Sequence, residues 1–411
     1  MKPTNLSDWL SHLEQLHPSE IELGLTRVRH VAEQLALINF DAKVILVGGT
    51  NGKGTTCALL ESMLMTAGYK IGVYCSPHLI RYTERVRING QELSEQSHCD
   101  AFSAIEEGRG DTALTYFEFG TLGALYLLKQ AQCDVILLEV GLGGRLDATN
   151  IVEPDVSVVT TIDIDHVEWL GDNREDVSFE KAGIFRSSKP AICGDFDTPA
   201  RLIEHANSLD AHLMLANQAF AMEIGEGVWH WQGGDKALRD LPIIPLPLQN
   251  ASTALATLSV LGLDITPEQI KQGLSQARLA GRMQCIQTEP MVILDVAHNP
   301  HSAGYLAQQL KLMPKQPIRA VVGMLKDKDI KATLAQFDGL ISHWYLADLQ
   351  GPRAAKAELL AQYTPADTSQ LFKNVELAYQ QAVADSEAES VVIVFGSFYT
   401  VAEIIDRQQK G

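Results

Sequence analysis

Lys43-Val44-Ile45-Leu46-Val47-Gly48-Gly49-Thr50-Asn51-Gly52-Lys53-Gly54-Thr55-Thr56 sets the architecture of this chain. Its apolar half, Lys43 to Val47, has the unbroken hydrophobicity of a strand covered on both faces. The glycines that follow form a turn, and a helical pattern runs from Thr55 to Ala67. A glycine-rich turn between strand and helix lets backbone N–H groups close around phosphates, where the helix dipole favours negative charge. Lys53 is placed to reach the β- and γ-phosphates, and a hydroxyl of Thr55 or Thr56 lies near where Mg²⁺ would sit. The loop departs from the general GxxxxGK[ST] pattern. Val47 stands where that pattern has its first glycine, and Gly54 separates the lysine from the hydroxyl. A purely structural turn would have little use for a lysine at this point.

Outward from this stretch the same alternation continues. Ile71 to Tyr74, Val135 to Val140 and Val156 to Ile162 read as further buried strands, and Phe117 to Gln132 reads as a helix. Ala219 to Asp240, with Trp229 and Trp231, reads as a small hairpin or insertion, and Leu248 to Leu263 as a helix starting near Asn250. A break is expected near Leu279 to Gln284. Beyond it Val292 to Val296, Arg319 to Leu325, Trp344 to Leu349 and Val391 to Gly396 repeat the strand pattern, with a helix from about Ala303. The expected fold is α/β: a mostly parallel P-loop sheet with helices on both faces, then a smaller Rossmann-like α/β domain. The expected domains are residues 1–280 and 281–411.

Composition narrows the function. At 411 residues the chain is too long for one ordinary core. A net charge of −18 argues against a nucleic-acid partner, although Arg81, Arg85 and Arg87 offer a local positive cluster for an anionic substrate. The six cysteines have no metal spacing and read as reduced, mostly buried thiols of a cytoplasmic protein. No apolar run is long enough to span a bilayer, so no membrane role is expected.

Polar residues recur at the ends of expected parallel strands, the edge where open α/β sheets bind ligands. Ser76 follows Ile71–Tyr74, Glu139 closes Val135–Glu139, and Asp163, Asp165 and His166 follow Val156–Ile162. A carboxylate, an imidazole and a hydroxyl on one edge with a phosphate loop suggest Mg²⁺ ligation. Lys181, in Phe179-Glu180-Lys181-Ala182-Gly183-Ile184-Phe185, reads by spacing alone as a lysine stem packed on a core helix, with its pKa lowered by burial. Asp295 and His298 project from another strand end, as a helix cap and a loop histidine or as functional groups. Arg282 lies just upstream with donors for a phosphate or carboxylate.

Taken together these motifs resemble the bacterial folylpolyglutamate synthase/dihydrofolate synthase family of the Mur ligase superfamily, over essentially the whole length. Besides the glycine loop, the resemblance rests on the YCSPHLIRYTERVRING, LTYFEFGTLGAL, EVGLGGRLDATN, DIDHVEWLG, FEKAGIFR, AGRMQ, DVAHNPH and FGSFYTV stretches, in the family's order. The resemblance implies an ATP- and Mg²⁺-dependent ligase joining L-glutamate to dihydropteroate and to reduced folates through an acyl-phosphate. It implies that Gly49, Thr50, Asn51, Gly52, Lys53, Gly54 and Thr55 bind the ATP phosphates, with Asn250, Arg282 and Asp295 at further nucleotide positions. Ser76, Glu139, His166 and a carbamylated Lys181 match ligands of two Mg²⁺ sites, which replaces the packing role suggested for Lys181 by spacing.

Ile21, Glu22 and Leu23, Thr115, Tyr116, Phe117 and Glu118, and Leu146, Asp147 and Ala148 match pterin contacts. Lys53, Lys181 and His298 match catalytic candidates. The resemblance assigns ATP and pterin binding to residues 1–280, and glutamate and nucleotide contacts to residues 281–411, in a monomer. The family's Pro-Gly-Arg is Ala280-Gly281-Arg282 here, which is expected to alter loop stiffness and not chemistry. A monofunctional member, a cell-wall Mur ligase acting on a nucleotide-sugar peptide, and a nucleotide-binding regulator are the alternatives. A dinucleotide oxidoreductase is disfavoured by the lack of GxGxxG.

Overall fold

A computed structural model describes residues 3–17, 22–313 and 317–410, so Ile21 lies outside the described residues. The chain divides into two compact units, Met1–Arg278 and Leu279–Gly411. The first is built on an eight-stranded sheet. Its order is Gln91–Glu92, Val86–Ile88, Ile71–Tyr74, Val135–Glu139, Lys43–Gly48, Val156–Val159, Pro190–Cys193, His212–Leu215. All pairings are parallel except those made by Val86–Ile88 with its two neighbours. The central strands are buried on both faces, which is why their sequences are apolar without alternation.

Lys43–Gly48 lies between Val135–Glu139 and Val156–Val159, although neither is the next strand in sequence. The chain first moves to one side of this strand and then returns to the other. Such a reversal opens a crevice at the carboxyl ends of the strands, and the glycine loop sits there. The helix after the loop, Lys53–Thr66, is buried on almost every side, among the sheet and the helices Leu248–Val260 and Pro267–Gln276. Gly273 allows the last of these contacts, because a Cβ there would lie 2.5 Å from Met63 Cα.

Residues 219–240, expected as a hairpin, belong to a three-stranded antiparallel sheet of Phe220–Ile224, Val228–Gly233 and Lys236–Pro242. Trp229 and Trp231 alternate inward from its middle strand and are buried, with Trp231 Nε1 donating to the Ser252 carbonyl at 3.1 Å. The helix expected to start near Asn250 begins at Leu248, which places Asn250 inside its first turn.

The second unit carries a six-stranded sheet in the order Gln284–Thr288, Met291–Leu294, Val391–Phe395, Ile318–Val322, His343–Ala347, Ser369–Phe372. Only the first pair is antiparallel. Its core gathers Ile293, Leu306, Val322, Phe337, Trp344 and Phe395. The helix Pro300–Leu312 starts earlier than expected because Asn299 caps it and proline occupies its first position. Among the described residues no helix is long and apolar enough to cross a membrane.

Leu137 is fully buried at the centre of the first sheet. Leu137→Ala is expected to lower unfolding free energy by about 2–5 kcal/mol through lost transfer energy and a residual cavity. Urea unfolding followed by circular dichroism checks this, and an unchanged midpoint would contradict the packing described.

Candidate active site

The glycine loop has a complete account for its carbonyls. The Gly48 carbonyl accepts from Thr160 N–H at 2.9 Å, and that of Gly52 from Thr56 N–H at 2.8 Å. Lys53 Nζ donates to the Gly49 and Thr50 carbonyls at 3.0 and 3.3 Å. The Asn51 carbonyl accepts both the Thr160 and the Thr161 hydroxyls, at 2.6 and 3.0 Å. The N–H groups of Lys53, Gly54 and Thr55 belong to the first helical turn and have no intrahelical partner. A loop whose carbonyls are occupied while such donors open a helix is suited to an anion.

Two glycines are required by this geometry. Gly49 has φ +140°, and a Cβ there would meet Thr160 Oγ1 at 1.9 Å. Gly52 has φ +87°, and a Cβ would meet Asn250 Nδ2 at 2.1 Å. The Asn250 amide points at the Thr56 hydroxyl, 3.4 Å away, and is buried. Thr55 and Thr56 are buried as well.

On one side of the loop, Glu139 is buried and its Oε2 accepts the Ser76 N–H at 3.2 Å. His166 lies on the other side at φ +53°, in front of the short helix Val167–Leu170, with its imidazole partly exposed. Asp165 Oδ1 accepts the His166 N–H at 2.9 Å. Lys181 is buried on the helix Arg174–Ala182, close enough to Lys53 and Asp165 to feel both charges. Burial first, and the Lys53 charge second, lower its pKa from 10.5 to about 7, with Asp165 opposing. Part of Lys181 is therefore a neutral amine near pH 7. Among the described residues no three His, Cys, Asp or Glu side chains form a ready metal cage. The donors present are one buried carboxylate, a hydroxyl, an imidazole and a modifiable amine. That set fits a hard ion that keeps water and phosphate oxygens in its shell.

Thr115 caps the helix Tyr116–Ala131 in a reciprocal box with Glu118. Glu118 is buried. One oxygen accepts the Thr115 N–H at 2.8 Å and the other accepts from Arg27 at 3.0 Å. Arg27 also pairs with Glu22, tying two of the three candidate pterin segments together. Leu23 and Leu146 are half-buried and Ala148 is buried. Asp147 is buried with four donors: the N–H groups of Gly141, Leu142 and Thr149, and the Thr149 hydroxyl. Burial nevertheless raises its pKa from the usual carboxylate range. Phe117 stacks on Tyr74 and lies against Gly141, where a Cβ would be 2.5 Å from its ring. Tyr116 lies beneath the buried Arg85 guanidinium, 5.7 Å from the ring centroid.

In the second unit Arg282 and His298 both approach Phe398, and Arg282 lies close enough to Asp295 for its charge to act on it. The Arg282 guanidinium stands 5.4 Å from the Phe398 ring, and the His298 ring 6.1 Å from it. Asp295 is buried and accepts the Met283 and Ala297 N–H groups at 3.0 and 2.8 Å. Burial raises its pKa, partly offset by Arg282. Because Asn299 caps the following helix, Asp295 is not its cap. His298 Nδ1 lies 2.9 Å from the Val296 carbonyl, which can only accept, so that nitrogen carries the proton.

The expected arginine cluster does not form as an open positive patch. Arg81 pairs with Glu92 and Arg87 with Glu61, each at 2.8 Å, and Arg85 Nε donates to His78 Nδ1 at 2.9 Å. Thr160 and Thr161 also contact the loop and are not among the residues expected from sequence. Their position directly after an apolar strand and before Asp163 was the available signal.

The chain matches the Mur ligase middle domain over residues 47–214 and the Mur ligase glutamate ligase domain over residues 281–398. It is 50% identical over 410 residues to the dihydrofolate synthase/folylpolyglutamate synthase of Escherichia coli (strain K12), spanning 99% of this chain and 97% of that relative. The chain belongs to this family. Among solved dihydrofolate synthase/folylpolyglutamate synthases, E. coli FolC in complex with DHPP and ADP aligns with a TM-score of 0.97 at 49% identity, over 100% of this chain and 99% of that one. A bifunctional member with Mn, AMPPNP and L-glutamate bound aligns at 0.94 and 50% identity, over all of both chains. The fold is that of the Mur ligases, as the sequence implied.

The lowered Lys181 pKa has a stability consequence. Between about pH 7 and 10.5 the unfolded chain holds the Lys181 proton that the folded protein has released, so stability rises with pH across that window. Lys181→Met is expected to flatten the rise by about 1 kcal/mol per pH unit between pH 7 and 9. Urea unfolding at several pH values measures it; identical slopes for the two proteins would contradict the assignment.

Proposed function

We infer that the chain is an ATP-dependent amide ligase. It adds L-glutamate to dihydropteroate, making dihydrofolate, and to reduced folates, lengthening their glutamate tail. The observation that carries this reading is full-length similarity to the bifunctional enzymes, together with a glycine loop held between Glu139 and Thr160. The setting is the cytoplasm, which suits six free cysteines.

ATP phosphates lie along Gly49, Thr50, Asn51, Gly52, Lys53, Gly54 and Thr55, taking the first-turn N–H groups of Lys53, Gly54 and Thr55, since Thr50 and Asn51 give their own N–H groups to Thr161. Lys53 exchanges the Gly49 and Thr50 carbonyls for phosphate oxygens and offsets charge as the γ-phosphoryl moves. Asn250, Arg282 and Asp295 serve the rest of the nucleotide. Ser76, Glu139, His166 and carbamylated Lys181 would hold Mg²⁺, which supplies further charge neutralisation at the phosphates. The half-neutral, buried Lys181 amine is suited to take up CO₂.

Glu22, Leu23, Thr115, Tyr116, Phe117, Leu146, Asp147 and Ala148 receive the pterin. The folate carboxylate attacks the γ-phosphorus, ADP leaves, and an acyl-phosphate forms. The glutamate amine then attacks the activated carbonyl, and phosphate departs from a tetrahedral intermediate. Glu118 has both oxygens engaged, so its part is to hold Thr115 and Arg27 in place. His298, with Nδ1–H fixed on the Val296 carbonyl, has its ring orientation set and acts in glutamate binding or proton transfer.

Lys53→Ala is expected to abolish ligation, by more than about 100-fold, while leaving the circular dichroism spectrum unchanged. Purified protein with MgATP and glutamate is expected to release ADP with dihydropteroate and, separately, with tetrahydrofolate, matched by new amide product. Release with one substrate alone overturns the bifunctional reading, and release with neither overturns ligation.

A further inference from the structure

We propose that Thr160 and Thr161 are positioning residues that set the shape of the nucleotide loop and fix it to the segment carrying His166. The inference rests on the reading of Gly49–Thr55 as the nucleotide loop. Both threonines are buried at the end of Val156–Val159, the strand paired with the loop's own strand. Residues at such a strand end face the glycine loop across one strand spacing.

Proton accounting shows how specific the contact is. A threonine hydroxyl has one hydrogen to give. Thr160 gives it to the Asn51 carbonyl at 2.6 Å in preference to that of Gly48 at 3.2 Å. Thr161 gives its own to the same Asn51 carbonyl at 3.0 Å and accepts the Asn51 N–H at 3.2 Å. The peptide of Asn51 is thus gripped from both ends, one residue before Gly52 turns the chain into the helix. The backbone of the same strand end completes the clasp. Thr50 N–H donates to the Thr161 carbonyl at 2.7 Å, and the Thr50 hydroxyl exchanges hydrogen bonds with Asp163 O and N–H, each at 2.9 Å.

Thr50 therefore spends its hydroxyl on Asp163, two residues before Asp165, whose side chain holds the His166 N–H. The loop and the segment that carries His166 are therefore joined through Thr50 and Asp163. Close approach of Thr160 to Gly49 excludes any side chain there, which keeps the turn tight.

Valine has the shape of threonine and lacks the donor; serine keeps the donor and loses a methyl. Thr160→Val and Thr161→Val in the full chain are expected to weaken MgADP binding by about tenfold each, the loss of one or two buried hydrogen bonds. Affinity for dihydropteroate is expected to stay near that of the starting protein, and the thermal midpoint to fall by no more than about 2–4 °C. Thr160→Ser and Thr161→Ser are expected to return MgADP affinity to within about threefold. Isothermal calorimetry with MgADP and, separately, dihydropteroate reads this without requiring turnover. Valine variants that bind MgADP as tightly as the starting protein overturn the proposal. So do serine variants as weak as valine, or equal losses for both ligands, which mark a general packing defect. Failure of the ligase reading shows differently: the starting protein binds MgADP and forms no amide.

Discussion

A backbone loop that is to offer N–H groups to phosphate must dispose of its carbonyls elsewhere, and this requirement shapes the first unit around residues 48–52. Water could satisfy those carbonyls, but it would leave the loop free to change shape. Here a strand-end N–H, two threonine hydroxyls and a helical N–H take the Gly48, Asn51 and Gly52 carbonyls, and the Lys53 ammonium, itself placed to meet phosphate, covers those of Gly49 and Thr50. Thr160 and Thr161 would be out of reach without the strand order, which places Lys43–Gly48 between Val135–Glu139 and Val156–Val159. The same order brings Glu139 and the segment leading to His166 to opposite sides of the loop. Fold and site thus follow from one placement.

Burial then does the chemical tuning. Lys181 sits where desolvation and the Lys53 charge make an ammonium costly, so its amine is partly neutral near pH 7. Asp147 and Asp295 are carboxylates held by backbone N–H groups yet pushed upward by burial. Buried polar groups of this kind are expensive unless paired. Asp147 has four donors and Glu118 two, which explains how these carboxylates stay buried beside an apolar core.

Much of this was legible in the sequence, for physical reasons. Strands covered on both faces carry continuous apolar runs, so Lys43–Gly48, Ile71–Tyr74 and Val391–Phe395 were visible directly. The glycine loop declared itself through Lys53. Pairings across long sequence distances were not visible. Arg87 meets Glu61, 26 residues away, and Arg81 meets Glu92, so two arginines of the expected positive cluster are paired with carboxylates; Arg27 likewise meets Glu118, 91 residues away. Thr160 and Thr161 escaped notice because threonine after valines reads as ordinary strand composition. The helix at Asn250 was placed two residues late, since Pro247 and not Asn250 precedes its first turn.

Ligation on this scaffold turns on one step, activation of a folate carboxylate by phosphorylation. Dihydropteroate labelled with ¹⁸O in its carboxylate, turned over with MgATP and glutamate, tests it most directly. An acyl-phosphate route transfers one labelled oxygen per amide formed into inorganic phosphate, visible by mass spectrometry or ³¹P resonance. Amide product accompanied by unlabelled phosphate would contradict the account.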